Sequence, residues 1–178
     1  MNLEHRLEHL EQRIRQLESE NAIRACMNRY MVLCDELGVD SRLDELAGLF
    51  SQDAVWEGKG ARYQSAFGGY QGRDSIKAMF ATYMVEPAHF ALNVHFLTSE
   101  LIRVAGDSAS GSWVMLQTST FASGASHLNS ARLSVDFRQE PETGAWRMSH
   151  FVTENLFSRP VDGWNSNAHL PVPDKSGQ

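Results

Sequence analysis

The stretch HFLTSELIRVAGDSASGSWVMLQTSTF, residues 95–121, holds two runs rich in β-branched and aromatic residues on either side of AGDS. Such runs around a short Gly/Asp/Ser segment are typical of two antiparallel strands joined by a turn, here 95–104 and 109–121. Two more runs of this kind, HLNSARLSVDFRQ (127–139) and AWRMSHFVTENLF (145–157), follow after ASGAS and EPETG. The sequence of the C-terminal half therefore predicts four strands in succession.

The N-terminal half has helical periodicity instead. Its apolar spacing predicts one long helix from near residue 3 to about Glu36, where Gly38 can end it. A second helix is expected at 41–50, with Ser41 as the N-cap, and a third at 73–84.

Two short segments lie between the second and third predicted helices. DAVWEG (53–58) is interpreted as a short strand, and RYQSAFGGYQG (62–72) as a glycine-punctuated hairpin or loop. Because helices come first and antiparallel strands follow, the expected fold class is α+β. Residues 159–178, which hold three of the five prolines, are expected to form a tail or a lid over the domain.

Composition narrows the range of partners and compartments. The 178 residues carry 16 Lys+Arg and 22 Asp+Glu, a net charge of −6, which disfavours nucleic acid and anionic membranes as partners. No apolar run has the length of a membrane span or a secretory signal, so a cytoplasmic protein is expected. The two cysteines, Cys26 and Cys34, are two helical turns apart on one predicted helix and are expected to be free, small packing residues.

A heptad-like stripe occupies the first 20 residues, which are expected to be a helical extension continuous with the first domain helix. Its apolar members recur at alternating steps of four and three residues: Leu3, Leu7, Leu10, Ile14 and Leu17. A coiled coil of this length is marginal alone, so the stripe should pack on its own domain or on a second subunit. Self-association into a dimer or trimer is the favoured expectation.

The ordered series YxxxxD, LAGLFSQDAVWEG, GRDSIKAMF, HFLTSELIRVAGDSASGSW and GAWRMSHF resembles the SnoaL-like branch of the NTF2-like superfamily. The resemblance covers roughly residues 21–158. It implies a cone in which a strongly curved antiparallel or mixed β-sheet encloses helices around one deep, mostly apolar pocket. Members include scytalone dehydratase, bile acid 7α-dehydratase, ketosteroid isomerases, a dehydrochlorinase and proteins that only bind, so the fold alone does not decide the function.

The resemblance also implies three catalytic residues. In dehydratase-like members, a Tyr and an Asp on the first long helix lie across the pocket from a strand His. Tyr30 and Asp35 match the first two positions, and His95 matches the third because it stands seven residues before Ile102. His89 is the competing histidine if the strand register differs. Five helical residues turn about 140°, so Tyr30 and Asp35 are expected to form two walls of a cavity rather than a contacting pair.

These residue types suit proton transfer. A histidine can remove a proton from carbon near neutral pH, an aspartate can orient the imidazole, and a tyrosine can donate to a developing oxyanion or leaving hydroxyl. The sequence contains no Walker loop, dinucleotide glycine fingerprint or zinc spacing, so no cofactor or metal is expected. Strand alternation and composition add candidate substrate contacts, namely Trp56, Arg62, Tyr63, His89, Trp113, His127 and Asn129.

The expected function is a cofactor-independent lyase acting on a hydrophobic, aromatic or polycyclic, hydroxylated small molecule. Loss of water is the leading reaction, and a retro-aldol release of a small aldehyde uses the same groups. The alternatives are a ketosteroid-isomerase-like isomerase and a non-catalytic ligand-binding or assembly module. Trp164 and His169 could close over the pocket from the tail or belong to a neighbouring subunit.

Overall fold

A computed structural model describes residues 2–38 and 42–162 of the chain. Within these ranges the helices are α1 (Leu3–Asp35), α2 (Leu43–Gly48), α3 (Gly60–Phe67) and α4 (Arg73–Ala81), and the strands are β1 (Phe50–Lys59), β2 (Gly69–Gln71), β3 (Phe90–Ala105), β4 (Ser108–Phe121), β5 (Ser126–Gln139) and β6 (Trp146–Val161). No helix in this part of the chain is long and apolar enough to cross a membrane.

All six strands belong to one sheet in the order β2-β1-β6-β5-β4-β3. Strands β3 to β6 form the antiparallel series that the sequence predicts, each paired with the next. Strand β1 pairs with β6 in parallel. Strand β2 pairs antiparallel with β1 and forms the edge of the sheet opposite β3. The sheet is therefore mixed, and the predicted α+β class is confirmed.

Irregular pairing bends this sheet. The register between β3 and β4 shifts between Thr98 and Leu101, where Ser99 has a φ of 53°. A second shift separates Ser130 from Ala131 in the pairing of β5 with β6. Bulges of this kind increase strand twist and bending, and they give the sheet a concave face that can receive α1.

Helix α1 has two parts with different surroundings. From Ile23 onward it buries side chains such as Met27 and Tyr30 in the core, where the helix packs against β3 and β6. The five apolar residues of the N-terminal stripe are between 51% and 67% exposed. The described part of the domain does not cover that stripe, so the first of the two predicted packing options is not observed.

The prediction for residues 62–72 was wrong, because most of the segment is helical. Helix α3 precedes Gly68, whose φ of 65° ends the helix and leads into β2. Tyr63 and Phe67 lie one turn apart, with ring centroids 4.9 Å from each other, and Phe67 meets Trp56 edge-on at 5.9 Å. Burial of these rings against β1 stabilises a helix that local sequence does not indicate.

Other boundaries differ modestly from expectation. The helix expected at 41–50 spans only Leu43–Gly48, and β1 takes up the end of that segment, so the short strand is longer than predicted. Ser41 lies outside the described residues, as do Trp164 and His169. Strand β6 runs to Val161, so the first residues assigned to the tail belong to the sheet.

Gly58 permits the close contact between β1 and α3. A Cβ placed on Gly58 would lie 2.6 Å from the Tyr63 carbonyl oxygen, a distance that requires the backbone to move. The Gly58 amide also donates to the Gly68 carbonyl at 2.9 Å, so the strand and the helix end are already joined there. A side chain at this position would push α3, and Tyr63 with it, away from the sheet.

We expect Gly58→Ala to lower the free energy of unfolding by about 1–3 kcal/mol, the usual cost of overpacking a tight contact. Chemical denaturation would measure this. Gly48→Ala is the matched control, because nothing lies within 4 Å of its added Cβ, and its stability should be unchanged or slightly higher. Equal stability of the two variants would contradict the tight packing of α3 on β1.

Candidate active site

One pocket lies between the helices and the concave face of the sheet, with a cavity volume of about 160 Å³. Most of its lining is aromatic or aliphatic, with a few amide, hydroxyl and imidazole groups. The lining residues are Tyr30, Met31, Cys34, Leu37, Trp56, Tyr63, Phe67, Met79, Phe80, Tyr83, Phe90, Asn93, His95, Met115, Gln117, Asn129, Leu133, Phe151 and Thr153. An apolar cavity with few polar groups is the usual form of a small-molecule site.

Asp35 and His95 form a contacting pair at one wall of this pocket. His95 Nδ1 lies 2.6 Å from Asp35 Oδ1, and the His95 backbone amide donates to the same oxygen at 3.0 Å. The side chains are 11% and 23% exposed for His95 and Asp35, respectively. The last residue of α1 is therefore joined to β3 through both the backbone and the ring of a single histidine.

The partner of Nδ1 determines which ring nitrogen can act as a base. A carboxylate only accepts hydrogen bonds, so the neutral His95 ring carries its proton on Nδ1. Nε2 then holds a lone pair, and none of the hydrogen bonds recorded for residues 2–38 and 42–162 uses it. Because His95 lines the pocket, this nitrogen is available to a bound molecule.

Tyr30 lies deeper and is only 4% exposed. Its hydroxyl accepts a hydrogen bond from Trp56 Nε1 at 3.2 Å and bonds Cys34 one turn along α1. Its ring is 5.0 Å from that of Phe151, centroid to centroid. Burial is the main reason that the pKa of Tyr30 is well above the usual value, so the side chain stays a neutral phenol.

Cys34 also stays neutral. Burial raises the pKa of its thiol to about 12, although the hydrogen bond from Tyr30 acts in the opposite direction. Cys26, buried elsewhere on the same helix, has its pKa raised to about 12 by the same cause. Thiols with such pKa values are poor nucleophiles, in agreement with their predicted role as packing residues.

A chain of side-chain amides crosses four strands of the sheet. Asn155 Nδ2 donates to Asn129 Oδ1 at 2.9 Å, Asn129 Nδ2 donates to Gln117 Oε1 at 3.2 Å, and Gln117 Nε2 donates to Asn93 Oδ1 at 2.8 Å. Asn93 Nδ2 in turn donates to the Cys34 carbonyl at 3.2 Å, which joins the sheet to the end of α1. Each amide is oriented by its neighbours, so the polar part of the lining is held rigid.

Tyr63 meets this chain from α3. Its hydroxyl oxygen accepts from Asn129 Nδ2 at 2.6 Å. Among residues 2–38 and 42–162 the Tyr63 hydroxyl proton meets no acceptor, whereas the Tyr30 hydroxyl bonds Cys34. Tyr63 therefore presents a phenol that is fixed in position and still able to donate.

The structure brings half of the ten sequence-predicted residues to this pocket. Tyr30, His95, Trp56, Tyr63 and Asn129 line it. Asp35 lies behind His95, outside the lining. The expectation that Tyr30 and Asp35 do not contact each other agrees with their separate hydrogen-bond partners.

Four other candidates lie outside the lining. Trp113 has the expected inward face but fills the core, where its Nε1 donates to Glu100 Oε2 at 3.3 Å. Arg62 is exposed on α3, and His89 is exposed before β3 among aromatic rings. His127 lies 3.1 Å from the Ser158 hydroxyl, measured from Nε2. The alternation of side chains along a strand predicts which face of the sheet Trp113 and His127 lie on, but it does not predict how far along the cone they lie.

Several lining residues were not singled out as site residues. Asn93 stands two positions before His95, so strand alternation from His95 could have identified it. Phe80 and Tyr83 come from α4 and the turn after it, and Thr153 comes from β6. No local motif marks these three, because packing of separate elements brings them together.

No cluster of three or more His, Cys, Asp or Glu side chains that could hold a metal ion occurs within residues 2–38 and 42–162. His150 and Glu57 pair on a different part of the sheet, with 2.8 Å between Nε2 and Oε1, and neither belongs to the pocket lining. The carboxylate–imidazole pair at the pocket wall is therefore Asp35 with His95, of which His95 lines the pocket.

Comparison with solved structures agrees with the fold. A hexachlorocyclohexane dehydrochlorinase, LinA-type3 from Novosphingobium barchaimii LL02, is 19% identical with a TM-score of 0.67, over 89% of this chain and 97% of that one. A scytalone dehydratase-like protein from Novosphingobium aromaticivorans DSM 12444 is 17% identical with a TM-score of 0.64, over 92% and 96%. An NTF2-like protein with a cystatin-like fold, also from Novosphingobium aromaticivorans, is 24% identical with a TM-score of 0.66, over 84% and 90%.

At these identities the likeness extends to the fold alone. A comparison with curated protein sequences found no match. The SnoaL-like domain family matches residues 15–152, which include all of the pocket-lining residues except Thr153. This chain therefore belongs to the SnoaL-like domain family.

Proposed function

We propose that this protein is a cofactor-independent lyase that eliminates water, or a comparable small leaving group, from a hydrophobic ring compound. The observation that carries the proposal is the 2.6 Å contact between His95 Nδ1 and Asp35 Oδ1 at the wall of an apolar pocket. It supports a base at Nε2, since the aspartate orients the ring and stabilises the imidazolium that forms.

The size of the cavity favours a compact substrate. Its volume is about 160 Å³, close to that of a dry engineered cavity of about 150 Å³ that binds benzene. A single six-membered ring with small substituents fits this space, whereas a polycyclic molecule would require the pocket to widen. Gln117 has one amide hydrogen left after its bond to Asn93 and can meet a ring oxygen.

The elimination itself needs one base and one acid. His95 Nε2 takes a proton from a ring carbon, and the electron pair of the broken C–H bond forms the new double bond. The C–O bond at the neighbouring carbon breaks, and the departing oxygen takes the hydroxyl proton of a tyrosine and leaves as water. Return of the proton from the imidazolium to the tyrosine restores the site, with no net oxidation or reduction.

The contacts favour Tyr63 as the acid. Its hydroxyl proton meets no acceptor among residues 2–38 and 42–162, and the Asn129 amide at 2.6 Å would stabilise the phenolate during turnover. Tyr30, the donor indicated by the family resemblance, already bonds Trp56 and Cys34. In the proposal Tyr30 shapes the pocket, and it remains the alternative donor.

Two solved structures of this fold carry names of elimination enzymes, a dehydrochlorinase and a scytalone dehydratase-like protein. They support the class of reaction without identifying the substrate. Isomerisation is the second candidate, because a base that returns its proton to another carbon needs the same oriented histidine. Retro-aldol cleavage would use the same two groups to release an aldehyde.

Single-ring hydroxylated and chlorinated compounds, incubated with the protein in deuterium oxide, would separate these reactions by mass spectrometry. Elimination produces an unsaturated ring that has lost the leaving group, and isomerisation produces an unchanged formula. Saturable binding with neither a product nor deuterium uptake would contradict the lyase and indicate a binding module.

We expect His95→Gln to lower turnover by at least about 10²-fold, because it removes the base from the pocket. Steady-state kinetics on the active compound would measure the loss. His89→Gln is the matched control, since His89 is exposed and outside the lining, and it should keep the wild-type rate. A normal rate in His95→Gln together with an inactive His89→Gln would assign the base to His89.

We expect Asp35→Asn to lower kcat by roughly 10²–10⁴-fold. The amide can donate to Nδ1 and so hold the His95 proton on Nε2, where the base is needed. Glu36→Gln removes a carboxylate from the next residue, which is exposed and pairs with Arg42 at 2.6 Å, and it should leave kcat unchanged. Equal rates in the two variants would show that Asp35 has no part in orienting the histidine.

The two phenols provide a direct comparison of acid candidates. Tyr63→Phe should reduce kcat by roughly 10²–10³-fold with little change in KM, the usual effect of losing a donor to developing charge. Tyr30→Phe should have a smaller effect on kcat, because its hydroxyl serves Trp56 and Cys34. The reverse order of effects would return the acid role to Tyr30, with His95 still as base.

A further inference from the structure

The exposed stripe on α1 points away from the body of the domain. Ile23 follows Ile14 by nine positions, which at about 100° per residue is half a turn beyond two full turns. Ile23 is fully buried against the domain, whereas Ile14 is 53% exposed. The apolar face of the helix therefore changes sides along a single continuous α1.

The opposite side of this N-terminal segment is polar. Gln12, Gln16 and Ser19 line a surface pocket together with Gly106 and Gly144, which lie in the turns between strands. The side of the segment that faces the domain thus carries amides, a hydroxyl and the charged Arg15 and Glu18, and the leucines lie on the far side. Residues 2–38 and 42–162 leave the stripe uncovered, so its face is open to a second chain.

The residues that flank the stripe indicate which chain does so. With Leu7 and Ile14 at heptad positions a, and Leu10 and Leu17 at d, the three e positions are Glu4, Glu11 and Glu18. The g positions before Glu11 and Glu18 are Arg6 and Arg13. Each arginine is thus followed, five residues later, by a glutamate.

This pattern is complementary to itself in one orientation. In a parallel pair of helices, a g residue faces the e residue of the following heptad on the other helix, so Arg6 meets Glu11 of the second copy and Arg13 meets Glu18. In an antiparallel pair the e positions flank each other, which would bring glutamates together. Within its own helix Glu11 makes only an exposed contact with Arg15, at 3.7 Å.

The residues at the seam favour two strands. Leucine fills the d positions and isoleucine fills one of the two apolar a positions, Leu7 being the other. Isoleucine at a with leucine at d favours parallel dimers, and an asparagine at a helps to select that state. Asn21 occupies the next a position and is exposed. From Leu3 to Asn21 the seam would be about 27 Å long at about 1.5 Å per residue, which is short, so association should depend strongly on concentration.

We propose that residues 3–21 form a parallel, in-register, two-stranded coiled coil with a second copy of this chain. The two domains then lie at the same end of the coil. The register is set by Arg6 with Glu11 and Arg13 with Glu18, each pair occurring twice by symmetry. This inference concerns assembly and is independent of the chemistry proposed for the pocket.

Charge reversal on the full chain tests the pairing. The wild type should be a dimer by multi-angle light scattering at high concentration. The double variants R6E/R13E and E11R/E18R should each fall to half that mass, because every interhelical pair becomes repulsive. Mixing the two variants should restore the dimer, as the reversed charges are complementary. R15E, outside the seam, should remain dimeric.

Crosslinking tests the orientation. Leu3→Cys should form an intermolecular disulfide on mild oxidation, because the two N-termini lie side by side only in a parallel pair. Gln12→Cys, on the face opposite the stripe, should not. A wild type that stays monomeric, a dimer that survives both charge reversals, or a crosslink absent from Leu3→Cys but present in Gln12→Cys would each overturn the proposal. Far-ultraviolet circular dichroism would confirm that the variants remain folded.

Discussion

The contact between Asp35 and His95 is the interaction on which the pocket depends. A carboxylate at the C-terminal end of a helix is disfavoured by the helix dipole. Two hydrogen bonds from β3, one from the His95 backbone and one from its ring, offset that cost. The same bonds join α1 to β3 and orient the imidazole, which lines the cavity. Asp35 and His95 therefore hold α1 against β3 and also carry the proposed chemistry.

The rest of the lining divides into a packed part and a polar part. Tyr30, Trp56 and Phe151 pack face and edge within the core, and the planes of Trp56 and Phe151 lie 7° apart. The amide chain from Asn155 to Asn93 runs across strands β6 to β3, and every link constrains the next. Beside a mostly apolar lining, where the local dielectric is low, hydrogen bonds of fixed geometry act strongly on a bound molecule. A rigid polar group beside an apolar wall thus suits selective binding of a substituted ring.

Helix α1 serves two purposes because its apolar face changes sides. Its second half carries Tyr30 and Asp35 into the domain, and its first half presents leucines to solvent. A helix can do both because side chains half a turn apart face opposite directions. In the proposed dimer the pockets would be separate, with each dyad made entirely from one chain. Assembly would then alter the stability of the N-terminal segment more than the chemistry of the site.

The sequence by itself determined the α+β class, the long first helix and the order of the four C-terminal strands, because periodicity and an ordered motif series are local signals. The family resemblance pointed to Tyr30, Asp35 and His95, of which Tyr30 and His95 line the pocket. Only the tertiary structure decided that residues 60–67 are helical, since ring packing on Trp56 outweighs weak local propensity. It also showed that His95 lines the pocket and His89 does not. It brought Tyr63 into contact with Asn129, 66 positions away in the sequence. How deep a side chain lies in the cone, and which way a hydroxyl points, depend on contacts with elements far away in the sequence, so no local sequence pattern predicts them.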